Sequence, residues 1–258
     1  MTGGPKGGKT TAIAMLAEKL ANMGFKVYQP PSCTKITENG GFTTGRANIS
    51  KMKPDILLKF AIAYIKMVIE FENYFYECAQ QDGNPSIILC HKGVMDIKGQ
   101  MNPDTWEAIL NETGWNEVNL RDKRYDVVLH LVTAADGAEK YFGSDNREML
   151  DSALHYDETV KQAWNGHPKL KIIGNFEGES FQNKMSQCFY KICSDIGLPT
   201  ENKFFKKFLV DIPPNVTNFA SLFPESLIYH YFEMEELFLN AQDPRMQIRL
   251  TKRVFYFL

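Results

Sequence analysis

The apolar residues of this chain recur at helical spacing over several long segments. One such stripe begins after Lys9 and stops at Gly24, and a longer one covers residues 56–75 and stops at the turn formed by residues 82–85. Shorter stripes of the same period predict further helices at residues 103–113, 135–142, 151–164 and 181–196. The chain is therefore predicted to be rich in amphipathic helices.

Short apolar runs separate these helical segments and predict strands. The runs lie at residues 25–29, 87–90, 127–132 and 170–173. The last three are continuous rather than alternating, which is expected of strands that are buried on both faces of a sheet. Because strands and helices alternate along the chain, we predict an α/β protein with a mainly parallel sheet. Residues 30–54 are predicted to form a long loop.

The character of the sequence changes after Pro199, where strand-like runs rich in lysine and phenylalanine begin. These runs cover residues 206–212 and 246–252. We therefore predict a first domain over residues 1–200 and the start of a β-rich second domain over residues 201–258. The second segment is short for an independent hydrophobic core, so it is predicted to be an incomplete domain.

Composition and charge narrow the function only slightly. A net charge of −2 argues against a general attraction to nucleic acid or to anionic membranes. The five cysteines are scattered and lack a zinc-binding spacing, which favours a reducing compartment. The N-terminus lacks the pattern of a signal peptide, and no apolar run is long enough for a membrane span. The expected location is the cytoplasm.

The strongest chemical signal is a glycine-rich segment at the start of the first predicted helix. It satisfies the phosphate-loop pattern G-x-x-x-x-G-K-[ST]. Glycines allow successive backbone N–H groups to point at phosphate oxygens, Lys9 would reach the β- and γ-phosphates, and Thr10 would ligate Mg²⁺. The segment therefore predicts a site for a nucleoside di- or triphosphate. The predicted binding residues are Gly3, Gly4, Pro5, Lys6, Gly7, Gly8, Lys9, Thr10 and Thr11.

One feature of the loop departs from the usual arrangement. A phosphate loop normally follows a strand of about five residues, whereas only Met1 and Thr2 precede Gly3. The first strand of the sheet is therefore expected to be missing, and the chain is expected to begin one strand late.

Four segments carry a resemblance to a known family. They read TGGPKGGKTT, LRDKRY, HLVTAADGAE and AWNGHP, at residues 2–11, 120–125, 130–139 and 163–168. In combination they resemble the nucleotide-kinase-like P-loop family that joins bacterial NadR to the fly TRPL translocation defect protein, and the match to the fly-type branch is close. The basic run at residues 247–253 is similar to an early strand of that branch's triphosphate-tunnel (CYTH-like) domain.

The resemblance implies a three-layer P-loop NTPase fold that binds GTP or ATP with Mg²⁺. In the fly-type branch it also implies binding to the headgroups of anionic phospholipids, either phosphoinositides or phosphatidic acid, and hence a peripheral location at membranes. In the NadR branch it implies a small-molecule kinase.

Three positions depart from the acidic pattern of the family. Asp-Arg-Gly, Pro-Glu and Ile-Asp-Asn are replaced by His91-Lys-Gly, Pro30-Pro and Ile173-Gly-Asn. His91 stands where the family has a carboxylate that holds Mg²⁺ through water, and Mg²⁺ prefers oxygen ligands to imidazole. Phosphoryl transfer depends on the metal and on positioned charges, so nucleotide binding is expected to persist with weak turnover.

Another interpretation of the site stays open. Asp96 could supply the metal-binding acid in place of His91, and Arg147 lies where the family has a lid arginine that neutralises phosphate charge. The alternative for Arg147 is a solvated surface arginine. His130 and His167 are predicted to be structural, the first in a buried strand and the second in a Gly-His-Pro turn.

The sequence thus leaves two function classes. The first is a nucleotide-binding regulatory protein with little turnover, and the second is an active nucleoside- or ribosyl-type kinase. The second class would use Lys9, Thr10, Asp96 and Arg147 as its working residues.

Overall fold

The computed structural model describes residues 1–42, 52–144, 146–175 and 180–198, together with the backbone of two strands at residues 232–240 and 247–255. The chain divides into two compact units, Met1–Phe205 and Lys206–Leu258. No helix among the described residues combines the length and the apolar character needed to cross a bilayer.

Helices and strands alternate along the first unit. The described α-helices are α1 (Lys9–Asn22), α2 (Cys33–Asn39), α3 (Pro54–Asp82), α4 (Val94–Lys98), α5 (Pro103–Thr113), α6 (Arg147–Trp164) and α7 (Phe181–Asp195). A π-helical turn covers Asn119–Lys123 and a 3₁₀ turn covers Glu139–Tyr141. The strands are β1 (Lys26–Tyr28), β2 (Ser86–Ile88), β3 (Val128–Leu131) and β4 (Leu170–Ile173). β1 pairs with β2 and β3 pairs with β4, in both cases in parallel.

The N-terminal residues lie between these two strand pairs. The amino nitrogen of Met1 donates to the carbonyl of Cys90 at 2.9 Å. The N–H of Thr2 donates to the carbonyl of Leu129 at 2.8 Å, and the N–H of Leu131 donates to the carbonyl of Thr2 at 2.9 Å. A short stub, Met1–Thr2, therefore occupies the position predicted to lack a strand. It bonds to Cys90 on one side and to β3 on the other, and it leads directly into the phosphate loop.

Two apolar cores cover the two faces of the sheet. Because side chains alternate along β3, Leu129 and Leu131 face a core that contains Leu16 of α1 and Met185 of α7. Val128 belongs to the other core. That core joins α3, α5 and α6 through buried side chains that include Ile65, Trp106, Val160 and Trp164. The first unit is therefore an α/β fold in three layers.

Most elements predicted for the first unit are confirmed, with four exceptions. The predicted loop at residues 30–54 contains helix α2, whose N-cap Ser32 accepts a hydrogen bond from the N–H of Lys35; residues 43–51 lie outside the described residues. The stripe at 135–142 forms only a 3₁₀ turn. Strands β2 and β4 are not buried on both faces, since all three residues of β2 are half-buried and Ile172 of β4 is 45% exposed. Helix α4 was not predicted.

The second unit contributes an antiparallel pair, β5 (Phe232–Asn240) and β6 (Gln247–Phe255). β6 overlaps the run predicted as a strand at residues 246–252, and β5 was not predicted. The other predicted run, at residues 206–212, lies outside the described residues. The CYTH-like character of this unit stays a prediction.

Candidate functional site

The phosphate loop connects the N-terminal stub to α1, and its path requires glycine at two positions. Gly3 has a φ of 119°, and a Cβ there would lie 2.1 Å from the carbonyl oxygen of Leu131. Gly8 has a φ of 95° and is the N-cap of α1. Both conformations are rare for residues with a side chain. These glycines let the loop turn tightly against β3 and enter the helix.

The N-terminus of α1 has the features of an anion-binding site. In the described part of the chain no side chain caps it, and its first turn contains no acidic residue. The first N–H groups of a helix have no partner within the helix and carry partial positive charge. The N–H groups of Lys9, Thr10 and Thr11 are therefore suited to bind phosphate oxygens.

Lys9 lies back over the loop that precedes it. Its Nζ donates to the carbonyl of Gly3 at 2.8 Å and to that of Gly4 at 2.6 Å. Burial lowers the pKa of Lys9 to about 8, although Asp96 and Asp157 act in the opposite direction. A phosphate beside the ammonium group would raise this pKa again, because an opposite charge favours the charged form.

Asp157 of α6 holds the loop in place, and sequence reasoning missed it. Its Oδ1 accepts from the N–H groups of Gly4 and Thr133, and its Oδ2 lies 3.2 Å from Nε2 of His130. Burial opposes ionisation of Asp157, but hydrogen bonds from His130 and the two amides lower its pKa overall. The carboxylate therefore ties α6 and β3 to the base of the phosphate loop.

A signal for Asp157 was present in the sequence. Helix α6 buries Ala153, Val160 and Trp164 on one face, and Asp157 lies on that same face with 5% exposure. An aspartate in an apolar stripe requires buried donors, because an unpaired buried charge is costly. The sequence could not show that the donors belong to the phosphate loop.

His91 lies opposite Thr10. Its Nε2 is 3.5 Å from Oγ1 of Thr10, so it stands beside the residue predicted to ligate Mg²⁺. Burial and the positive charges of Lys9 and Lys92 lower the pKa of His91 to about 4, so the ring is neutral at pH 7. Within the described residues its Nδ1 has no hydrogen-bond partner. The position next to Thr10 thus presents a neutral imidazole.

The donors around Thr10 fit Mg²⁺ poorly. Mg²⁺ takes oxygen ligands in near-octahedral geometry. Thr10 offers one hydroxyl oxygen, and His91 offers a nitrogen. Among the residues that the structure describes, no group of three or more His, Cys, Asp and Glu side chains is placed to hold a metal ion.

Asp96 is close to the loop, but protein donors already occupy its carboxylate. Oδ1 accepts from the hydroxyl of Thr2 at 2.7 Å, and Oδ2 accepts from the N–H of Gly93 and from Nε1 of Trp164, each at 3.0 Å. The residue is 1% exposed. A metal ion would have to displace these donors, which counts against the metal-binding role predicted for Asp96. That role stays a prediction.

Arg147 is not brought to the loop. It is the first residue of α6, its side chain is 84% exposed, and its Nε lies 3.2 Å from Oδ1 of Asp151. The solvated alternative therefore describes its position in this structure. Lys140 was not singled out from the sequence, but it lines a cavity that lies over the phosphate loop.

Two histidines predicted to be structural lie in the interior. Nδ1 of His167 accepts from the N–H of Lys169 at 3.1 Å, and Nε2 donates to the carbonyl of Tyr125 at 2.8 Å. Both ring nitrogens thus stabilise the Gly-His-Pro turn. His130 is fully buried and reaches Asp157 through one nitrogen, while its Nδ1 has no partner among the described residues.

Two cavities meet at His91 and Lys92, which line both. The first, of about 840 Å³, lies over the phosphate loop and the N-terminus of α1; we call it the loop cavity. The second, of about 770 Å³, lies beside α2, α3 and α4; we call it the side cavity. Its apolar and aromatic lining includes Leu57, Phe60, Tyr64, Val68, Phe71 and Met101.

Lys184 of α7 is a second residue that sequence reasoning missed. It lines the loop cavity, and its Nζ donates to the carbonyl of Val132 at 2.7 Å and to Oδ1 of Asn175 at 2.8 Å. Burial lowers its pKa to about 8. Asn175 in turn donates to the carbonyls of Thr133 and Asp136. This cluster fixes the far wall of the loop cavity.

Comparison with known families agrees with this geometry. The model of a family described as an AAA domain matches residues 1–178, which is more than half of the chain. A comparison with curated protein sequences finds no similar protein. The matched segment contains the phosphate loop, His91, Asp96 and Asp157. The chain therefore belongs to this AAA-domain family, whose phosphate-loop domains bind nucleotides, in general with Mg²⁺.

Proposed function

We propose that this protein is a regulatory nucleotide-binding protein that binds GTP or ATP at the phosphate loop and turns the nucleotide over slowly. The observation that carries the proposal is the pairing of Thr10 with His91 at 3.5 Å, beside a loop that keeps all its phosphate-binding parts. The glycines, Lys9 and the N-terminus of α1 support affinity. The neutral imidazole supports weak catalysis, since phosphoryl transfer relies on metal and positioned charge.

The binding half of the proposal is tested with Lys9→Ala. This change removes the ammonium group that would meet the phosphates, so GTP and ATP should bind about a hundredfold more weakly or not at all. Isothermal titration calorimetry measures both affinities. Lys66→Ala on the exposed face of α3 is the matched control and should bind like the wild type. Equal affinities for the Lys9 variant and the wild type would reject the site.

The catalytic half is tested by turnover at saturating nucleotide and Mg²⁺. Wild-type phosphate release should be near background, and His91→Asp should raise it about tenfold or more, because metal contacts in the transition state are worth several kcal/mol. Robust wild-type turnover that survives Asp96→Asn would reject catalytic weakness.

A small-molecule kinase is the second candidate, and the side cavity favours it. A kinase needs room for an acceptor next to the transferred phosphate, and the two cavities share His91 and Lys92. Robust turnover that is lost in Asp96→Asn would support this candidate, provided that the variant keeps the wild-type thermal unfolding temperature. The thermal control is needed because Asp96 is buried in the fold.

Binding to phosphoinositide or phosphatidic acid headgroups rests on the resemblance to the fly-type branch alone and stays a prediction. Co-sedimentation with liposomes that contain these lipids, compared with neutral liposomes, measures it directly. Equal sedimentation with both kinds of liposome would reject the prediction.

A further inference from the structure

The described lining of the loop cavity carries charge of one sign. It contains the phosphate-loop threonines and glycines, the neutral His91 and no aspartate or glutamate among the described residues. Its charged side chains are Lys6, Lys9, Lys92, Lys140 and Lys184. In clefts lined by one sign of charge, the fields of the individual groups add and favour ligands of the opposite sign.

The lysines reach the cavity from different elements of the first unit. Lys9 is held on the loop carbonyls and Lys184 on the wall formed by Val132 and Asn175. Lys140 is exposed, and its Nζ lies over the ring of Tyr141, 4.9 Å from the ring centroid. The hydrogen-bond acceptors of Lys9 and Lys184 are neutral oxygens, so their charges are not cancelled by direct ion pairs.

Asp157 and Asp96, two carboxylates beside the phosphate loop, are engaged with the protein, and Asp136, which acts on Lys184 through space, is exposed. Asp157 accepts from two loop and strand amides and contacts His130, and Asp96 accepts from three donors. Glu148 lines a third cavity, which Lys6 and Lys9 also line. None of these carboxylates lines the loop cavity.

This arrangement opposes a divalent cation beside Thr10. Mg²⁺ there would gain one hydroxyl oxygen from the protein and a nitrogen that it does not favour. It would also lie in the field of the lysine ammonium groups that line the same cavity, and like charges repel each other. The metal-free nucleotide carries more negative charge than its Mg²⁺ complex and would gain from the same field.

We propose that the loop cavity binds the metal-free polyphosphate of a nucleotide, with lysine ammonium groups neutralising the phosphates in place of Mg²⁺. This proposal rests on nucleotide binding at the phosphate loop, as proposed above. It assigns the ligand class of that site: the uncomplexed nucleoside triphosphate anion rather than its Mg²⁺ complex.

Calorimetric titration of the full chain with ATP and with GTP tests this, in excess Mg²⁺ and in EDTA at equal ionic strength. The wild type should bind about three- to tenfold more tightly in EDTA than in Mg²⁺. His91→Asp restores a carboxylate beside Thr10, so it should reverse the order and bind more tightly in Mg²⁺. Lys66→Asp is the matched control, because it adds a carboxylate on the exposed face of α3 away from the phosphate loop, and it should keep the wild-type order.

Each outcome decides between the proposals. Wild-type binding that is tenfold tighter in Mg²⁺ overturns metal-free recognition and leaves nucleotide binding intact. An unchanged order in His91→Asp overturns the role given to the residue beside Thr10. The absence of binding in both solutions counts against nucleotide binding itself, and hence against both proposals.

Discussion

The loop cavity and the side cavity share His91 and Lys92, but the charged residues in their described linings differ. The described lining of the loop cavity has five lysines and no carboxylate, whereas that of the side cavity has one lysine and the carboxylates of Glu72 and Asp96. Both of these carboxylates already accept hydrogen bonds from protein donors. Glu72 accepts from Arg124 and, at 3.0 Å, from the hydroxyl of Tyr125.

The difference shows that the number of carboxylates around a cavity does not indicate what the cavity binds, because protein donors can already occupy those carboxylates. In this domain the buried carboxylates hold strands, helices and the loop together, and the lysines are left to face a ligand. Asp157 is the clearest example, because it touches the phosphate loop and yet acts on backbone amides. Three predictions test whether the buried carboxylates are structural and the lysines face the ligand, from the largest expected effect to the smallest.

Asp157→Asn should destabilise the first unit by about 3 kcal/mol, because it removes the charge that the two amides and His130 share inside the fold. Urea unfolding followed by circular dichroism measures the loss. Asp151→Asn is the matched control on the same helix, where the side chain is 56% exposed, and it should change stability by about 0.5 kcal/mol or less. Equal losses in the two variants would contradict a structural role for Asp157.

Lys184→Met should flatten the rise of stability with pH. The pKa of Lys184 is about 8 in the folded chain and 10.5 as the reference value, so between these pH values the unfolded state binds more protons and stability increases as pH rises. Below pH 8 both states are protonated and the slope disappears. The wild type should gain about 2 kcal/mol over this window from Lys184, and the variant should lose that gain.

Urea unfolding at pH 7, 8, 9 and 10 measures this effect. Lys191→Met, an exposed position on the same helix, is the control and should keep the wild-type slope. A wild-type slope in the Lys184 variant as well would show that Lys184 titrates normally.

Arg147→Ala should leave nucleotide affinity within about twofold of the wild type, because exposed ion pairs such as that with Asp151 contribute little. Lys140→Ala, which removes a lysine of the loop cavity, should weaken binding several-fold more. Calorimetry of both variants gives the comparison. A tenfold loss for Arg147→Ala would mean that the start of α6 moves onto the phosphates and would support the lid role implied by the family resemblance.

The phosphate loop was predictable because its determinants are local. Gly3, Gly8 and Lys9 lie within seven consecutive residues, and the helical pattern that follows fixes their context. Asp157 and Lys184 reach the same site from more than a hundred residues away in the chain, so no local pattern could connect them to it. The histidine beside Thr10 was found only because a family resemblance aligned it with a carboxylate.

The errors in the fold have similar causes. Strand β4 has the composition of a buried strand. Its exposure depends on which elements lie beside it, and β3 is the strand that pairs with it among the described residues. A single run of residues does not encode these neighbours. Helix α2 was missed because the prolines and glycines around it dominate a short segment. The stub at Met1 and Thr2 was missed because its hydrogen bonds come from residues about 90 to 130 positions away in the chain, such as Cys90 and Leu129.

Helix α6 carries side chains that contact the phosphate loop, Asp96 and the side cavity. Asp157 grips the phosphate loop, Trp164 holds Asp96, and His155 and Thr159 line the side cavity. Asp157 and Trp164 are about 10 Å apart along the helix axis. A small rotation or slide of this helix would therefore displace side chains at the phosphate loop and at the side cavity together.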